Sequence, residues 1–157
     1  MAHVDDVAGE ARLPPGVALR EVTERADLER IAALQEAVWE ADSSWLVEML
    51  DLERAAAPDA LAIFVAEAGD RAVSAAWIRF QRGTEFGTLW GGATLREWRG
   101  RGIYRALVRH RANLARERGL RYLEVDASED SRPILERLGF VPVTTTTPYV
   151  WTPSSSA

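Results

Sequence analysis

At 157 residues, with 47% hydrophobic and 27% charged residues, the chain has the size and balance of one globular domain with a single core. It contains no cysteine, which excludes disulfides, thiolate metal sites and a cysteine nucleophile, and its 19 cations are all arginine, which excludes a lysine amine as acyl carrier or Schiff base. The net charge of −5 is uneven: residues 1–59 carry 14 acids and 5 arginines, residues 60–157 carry 10 acids and 14 arginines.

An acidic part beside a basic part suggests two ligands of opposite sign, although helix faces of differing composition account for the asymmetry equally well. No apolar run approaches the roughly 18 residues of a membrane span. The opening MAHVDDVAGEARLPPG is acidic and lacks the apolar block of a signal peptide, and the absence of cysteine fits a cytoplasmic location, which is the expectation.

In chain order, residues 1–15 show no periodicity, end in Pro14-Pro15 and read as a flexible leader to a single domain over 16–151. Residues 17–23 alternate and predict a first strand. Asp27 is placed to cap a helix over about 28–40, whose stripe is Leu28, Ile31, Leu34, Gln35 and Val38. Ser43 or Ser44 would cap a second helix over about 45–56, stopped by Pro58. Residues 60–69 and 72–81 predict a hairpin around Gly69-Asp70. A fourth strand over 84–95 contains Gly91-Gly92, which suggests a bulge or a close approach to the backbone. A long helix over about 102–118 ends at Gly119, a fifth strand spans 120–127, and a short helix spans about 131–138. Residues 140–143 and 144–151 predict two more strands, and 152–157 a disordered tail. This order predicts an α/β fold with a mixed sheet of about seven strands, helices on both faces, and strands four and five parallel.

The segment WRGRGIYR (98–105) joins the fourth strand to the long helix. Gly100 and Gly102 allow a tight turn, and the helix start adds unpaired N–H groups and the positive end of a dipole. That combination holds phosphate oxygens. Alone, such a turn is weak: no Gly-Lys-Ser/Thr follows, as in a Walker loop, and the third glycine of a dinucleotide fingerprint is missing.

The pattern resembles the acetyl-CoA signature of the GNAT superfamily of N-acetyltransferases, Arg-x-x-Gly-x-Gly/Ala, in Arg99-Gly100-Arg101-Gly102-Ile103-Tyr104, with Tyr104 in place of the small residue. A second family element, strand, helix and a Leu-Gly-Phe ending, is matched by LEVDASEDSRPILERLGFVPV (123–143), and the similarity covers about 17–151. The resemblance implies a GNAT-like fold, an acetyl-CoA co-substrate and no metal. It places pyrophosphate contacts on the backbone of Gly100, Arg101, Gly102, Ile103, Tyr104 and Arg105. The pantetheine arm would pair with Gly92, Ala93 and Thr94 where strands four and five splay apart, and a bulge N–H would polarise the thioester carbonyl. Ser128 stands where the family often has an Asn. Leu135 stands where it often has the tyrosine that protonates the leaving thiolate. Tyr104 and Tyr149 are the replacement candidates, with direct protonation by solvent favoured over both.

The family walls its acceptor pocket where Trp39, Glu40, Asp42 and Trp45 fall; aromatic faces with carboxylates suit a cationic amine, the alternative being that both tryptophans are core. Glu85, Glu124 and Asp126 are candidate bases, each equally readable as a solvated strand-end charge. His110 lies on the long helix's apolar stripe and reads as structural; with His3 in the leader, the two histidines make no metal site. The implied activity is N-acetyl transfer from acetyl-CoA to an amine of a small molecule or peptide, by direct attack in a ternary complex. A non-catalytic acyl-CoA sensor remains an alternative, as does a nucleic-acid module, against which the net charge of −5 argues. Neither nucleic acid nor membrane is an expected partner; oligomeric state stays open, a homodimer included.

Overall fold

The computed structural model describes residues 1–149 and Trp151. The expected disordered tail at 152–157 lies outside the described residues, as does Val150 in the expected last strand. Strand β1 (Ala2–His3) and helix α1 (Val4–Val7) come first, followed by β2 (Val17–Glu21), α2 (Arg25–Trp39) and α3 (Trp45–Ala56). The meander β3 (Leu61–Ala68), β4 (Arg71–Phe80) and β5 (Phe86–Thr94) leads into α4 (Ile103–Glu117), β6 (Tyr122–Glu124) and α5 (Arg132–Glu136). The six strands form one mixed sheet in the order β1-β6-β5-β4-β3-β2.

Strand β3 shows why the layers form. Residues 61–66 are all buried, with Ala62, Phe64 and Ala66 facing one layer and Leu61, Ile63 and Val65 the other. A strand apolar on both faces needs helices above and below. On the first face α4 supplies Ile103, Leu107, Val108, Ala112 and Ala115, with Val4 and Val7 of α1 and Leu135 of α5. On the second, α2 supplies Leu28, Ile31 and Leu34, and α3 supplies Leu46 and Leu50.

The connection from β5 through α4 to β6 makes these two strands parallel, as expected. They pair only across Phe86–Thr88 and Tyr122–Glu124. Leu89–Thr94 of β5 run on with β4 alone beside them, so a wedge opens between β5 and the chain leaving β6.

Three expectations are corrected. Residues 1–15 are not a detached leader: Ala2 and His3 pair antiparallel with Leu123 and Tyr122, and Val4 and Val7 are buried. The two strands expected over 140–151 do not form among the described residues, so the sheet has six strands rather than seven. The edge of β6 they would have joined is occupied by β1, and the backbone of Val141 exchanges both its hydrogen bonds with Met1 (2.9 and 2.8 Å). Pro142 and Pro148 remove two further ladder donors. Lastly, Asp27 does not cap α2, which begins after Glu24.

Asp27 instead joins an ion network between β2, α2 and β3. Arg20 forks onto Asp27 through two 2.8 Å bonds and reaches Glu67, while Arg30 bonds both carboxylates. These bonds to Arg20 and Arg30 hold the Asp27 and Glu67 carboxyls below their ordinary pKa. Both side chains are largely buried. Removing one charge strands its partners, so Asp27→Asn is expected to destabilise the fold by about 2 kcal/mol at pH 7. Because the folded-state pKa values are depressed, this contribution is present above the unfolded pKa near 4 and lost as pH falls through the folded values. The gap between wild type and variant in urea unfolding is therefore expected to close below about pH 4.

Candidate active site

The wedge is floored by a bulge. Trp77 of β4 pairs with Trp90 and Ala75 pairs with Ala93, so Ala76 alone stands opposite Gly91 and Gly92. Both glycines are set by this chain's own aromatic rings. Gly91 has φ +63, and a Cβ there would fall inside the Trp77 ring. A Cβ on Gly92 would lie 2.6 Å from the Tyr104 ring on the opposite side. The bulge is therefore held between one ring from β4 and one from α4.

At the end of β5 the chain makes a short 3-10 turn (Arg96–Trp98) and then the elbow. Gly100 and Gly102 adopt φ +74 and +83, which side-chain-bearing residues rarely take. Gly102 precedes α4, whose start has no side-chain cap, and the first helical bond runs from the Ala106 N–H to the Gly102 carbonyl (2.9 Å). The N–H groups of Gly100, Arg101, Gly102, Ile103, Tyr104 and Arg105 thus find no protein acceptor among the described residues. Arg99 ties the elbow to β5 by donating from Nε to the Thr94 carbonyl (3.1 Å).

Elbow, wedge and bulge share a cleft of about 760 Å³, within the usual range for a small-molecule site. Gly92, Ala93, Thr94, Gly100, Gly102, Ile103, Tyr104, Arg105 and Ser128 all line it, as does Trp39. Of the predicted contacts on this side, Arg101 alone is not in the lining. Its guanidinium stacks over Trp98 at 4.5 Å and bonds the Glu97 carbonyl. Arg99, Arg109 and Arg137 add charge, while Asp130 is the one acid among the described lining residues. Arg109 stands one turn beyond Arg105, a helical spacing that sequence reasoning could have used. The Ser128 hydroxyl is engaged with Ser131, donating to its Oγ (3.1 Å) and accepting from its N–H (3.3 Å).

The predicted catalytic residues do not converge. Tyr104 lies in the cleft; burial pushes its phenol above the ordinary value, against the pull of the Arg111 charge and the Ser131 hydroxyl. Tyr149 is 93% exposed and lies outside the cleft. Glu85 precedes β5 at the end remote from the elbow, about 23 Å along the strand from Gly92, and is ion-paired with Arg121. Glu124 ends β6 as an exposed residue outside the cleft lining. Asp126 accepts from the Thr146 hydroxyl (3.4 Å). Leu135, at the family's tyrosine position, is core.

Trp39 and Trp45 are 57% and 60% exposed, so neither is core. Trp39 donates to Gln35 (2.7 Å) and Trp45 to the Asp42 carbonyl (3.2 Å). Glu40 is exposed in the left-handed region, and the Asp42 carboxylate accepts from the Ser44 N–H, which lowers its pKa. His110 meets Phe64 edge-on at 4.6 Å, and burial lowers its pKa, consistent with a structural role.

The acetyltransferase (GNAT) family model matches residues 27–140, from α2 through the end of the second motif, and the chain belongs to this family. Solved structures share the fold. An acetyltransferase from Trypanosoma brucei superposes with a TM-score of 0.70 at 23% identity, covering 86% of this chain and 99% of its own. A predicted acetyltransferase with acetyl-CoA from Clostridium acetobutylicum gives 0.70 at 18%, over 85% and 96%. AAC(6')-Iy, in complex with the bisubstrate analogue CoA-S-monomethyl-acetylneamine, gives 0.65 at 21%, over 87% and 98%. No curated protein sequence matches the chain.

The elbow yields a direct test. Calorimetry with acetyl-CoA is expected to give a dissociation constant of micromolar order, near −8 kcal/mol. Gly102→Val forces a β-branched residue to φ +83 and brings its Cβ within 3.3 Å of the Arg105 guanidinium. It is expected to weaken acetyl-CoA binding about tenfold or more; unchanged affinity in a folded variant would remove the elbow from the site.

Proposed function

We propose that the chain is an N-acetyltransferase that transfers the acetyl group of acetyl-CoA to an amine of a small molecule or peptide, by direct attack in a ternary complex. The observation that carries this reading is the run of six N–H groups, Gly100–Arg105, unpaired among the described residues, at the wedge beside the Gly91–Gly92 bulge. Convergent N–H donors at a helix start suit a pyrophosphate, and Arg99, Arg105, Arg109 and Arg137 offset its charge. The free edge of Leu89–Thr94 suits the amide-bearing pantetheine arm. Donors that fit this cofactor are present along the cleft.

Acetyl-CoA supplies the acetyl group as an activated thioester. The protein's part is positioning and polarisation: the elbow anchors one end, and the bulge directs backbone donors at the carbonyl where charge develops. Without cysteine or lysine, direct attack by the acceptor is the simplest route.

The acceptor approaches from the side of Trp39, next to the acidic first third of the chain. Its amine must lose a proton, and neither Glu85 nor Glu124 lines the cleft, so water is the simplest carrier. The leaving thiolate is also better served by solvent than by Tyr104. A thiol has an ordinary pKa near 8.5, and a phenol raised above its own value near 10 would transfer its proton uphill.

Tyr104→Phe keeps the ring that covers Gly92 and removes only the hydroxyl. Its kcat is expected to stay within a few-fold of wild type. A loss above about 10²-fold with acetyl-CoA affinity intact would assign the phenol as the acid.

Initial rates across polyamines, aminoglycosides, amino acids and peptide N-termini are expected to favour cationic acceptors and to fall with salt. Preference for neutral or anionic amines would overturn the charge inference and leave the cofactor assignment standing. The burial of Leu135, where the family often places its acid, favours an acyl-CoA sensor as the second reading; acetyl-CoA binding without turnover of any amine in this panel would select it.

A further inference from the structure

Two buried polar side chains, one from each helical layer, end on the carbonyls of the bulge. Arg111 of α4 is 1% exposed and has no carboxylate partner among the described residues. Its Nε donates to the Leu107 carbonyl (3.0 Å), and Nη1 donates to Trp77 O (2.9 Å) and Trp90 O (3.2 Å), the facing pair at which the bulge begins. Gln35 of α2 is 5% exposed. Its Nε2 donates to Gly91 O (2.7 Å), and its Oε1 accepts from Trp39 Nε1 (2.7 Å).

Burying a guanidinium without a carboxylate is unfavourable, and burial pushes the Arg111 pKa down to about 10, which still leaves it charged at neutral pH. An aliphatic side chain would fill the same volume without that cost. What it could not do is donate at once to two carbonyls on adjacent strands that the register shift has thrown together. Arg111 also acts electrostatically on Tyr104, whose ring covers Gly92. Gln35 meets the next carbonyl from the opposite face. Trp77 O, Trp90 O and Gly91 O thus each accept a hydrogen bond from a buried side chain.

We propose that Gln35 and Arg111 are positioning residues that clamp the bulge from opposite faces of the sheet, fixing the direction of its backbone donors, and that the Trp39–Gln35–Gly91 chain of hydrogen bonds ties the acceptor wall to the same point. The catalytic part of this inference rests on the acetyltransferase reading above. Its structural part, a clamp that immobilises Gly91–Gly92, does not.

The variants are Gln35→Met, which keeps length and loses both hydrogen bonds, and Arg111→Met, with Arg111→Lys as the milder form that retains one donor centre. Val65→Ala, a core change away from the cleft, is the stability control. Two measurements are made on each folded protein. The first is hydrogen exchange by mass spectrometry in peptides within 86–95, against peptides in β3. The second is kcat and KM for acetyl-CoA, normalised to the binding-competent fraction from calorimetry.

Gln35→Met and Arg111→Met are expected to raise exchange selectively within 86–95 and to lower kcat roughly tenfold or more, with KM for acetyl-CoA within a few-fold because the elbow is untouched. Arg111→Lys is expected to fall between wild type and Arg111→Met. Val65→Ala is expected to lower stability with neither effect. Exchange that rises equally in 86–95 and β3, or a kcat unchanged per competent site, overturns the clamp. If Arg111→Met does not fold, Gln35→Met and Arg111→Lys decide by the same criteria. If wild type binds acetyl-CoA but acetylates nothing, the enzymatic reading fails, and selective exchange at 86–95 still decides whether the clamp exists.

Discussion

Six consecutive backbone N–H groups without an acceptor among the described residues are the constraint to which the rest of the structure is fitted. Unpaired donors are unfavourable in an interior and tolerable at the mouth of a cleft. Placing them there requires a helix that starts abruptly, two residues with positive φ before it, and a strand that delivers the chain to that spot. It also requires that the next strand part from β5 early, or the donors would open onto packed side chains. Three residues of β5–β6 pairing followed by divergence satisfy this. The long parallel crossover through α4 then anchors the helix start by burying Ile103, Leu107 and Val108 behind it.

The exclusive use of arginine shapes how charge is distributed around that cleft. Guanidinium groups form planar, multidentate contacts and stack on rings, which an ammonium does less well. Arg101 sits over the Trp98 ring, Arg118 over the Phe80 ring at 3.9 Å, and Arg20 forks across two carboxylates. Arg111 carries the same property into the core. The basic lining suits a polyphosphate, whereas among the described residues the acidic first third contributes Val38 and Trp39 to the cleft and none of its acids.

Much of this was legible in the sequence because it is local. Gly100 and Gly102 before an amphipathic segment announce both the turn and the helix, and Gly91-Gly92 inside a strand announces a bulge. What presses on that bulge was not legible. Trp77 is fourteen residues upstream of Gly91, and Tyr104 twelve downstream of Gly92, so their convergence is a property of sheet register. Arg111 did leave a trace: it continues the stripe Ile103, Leu107, Leu114, where a cation is out of place. Gln35 sits likewise among Leu28, Ile31, Leu34 and Val38.

The ends of the chain misled for a different reason. Two residues cannot show a period, so β1 had no signal. The segment FVPVTTTTPYVW has strand composition, yet strands form only where an edge is free, and residues 2–3 occupy that edge. The candidate bases lie outside the cleft lining for a related reason: Glu85 immediately precedes β5 and Glu124 ends β6, and residue type alone says nothing about which positions beside a strand face the cleft.

The two rings pressed against Gly91 and Gly92 also set limits on how this floor could change over time. Glycine has no side chain left to trim, and the backbone beneath it rests on Trp77, so the floor cannot be deepened by single substitutions there. Added room above the floor has to come from the Tyr104 side, where a smaller residue would vacate volume over Gly92 without disturbing the strand. Any change in the space above this floor is thus channelled through one helical position, the last of the elbow motif, where the GNAT signature has Gly or Ala.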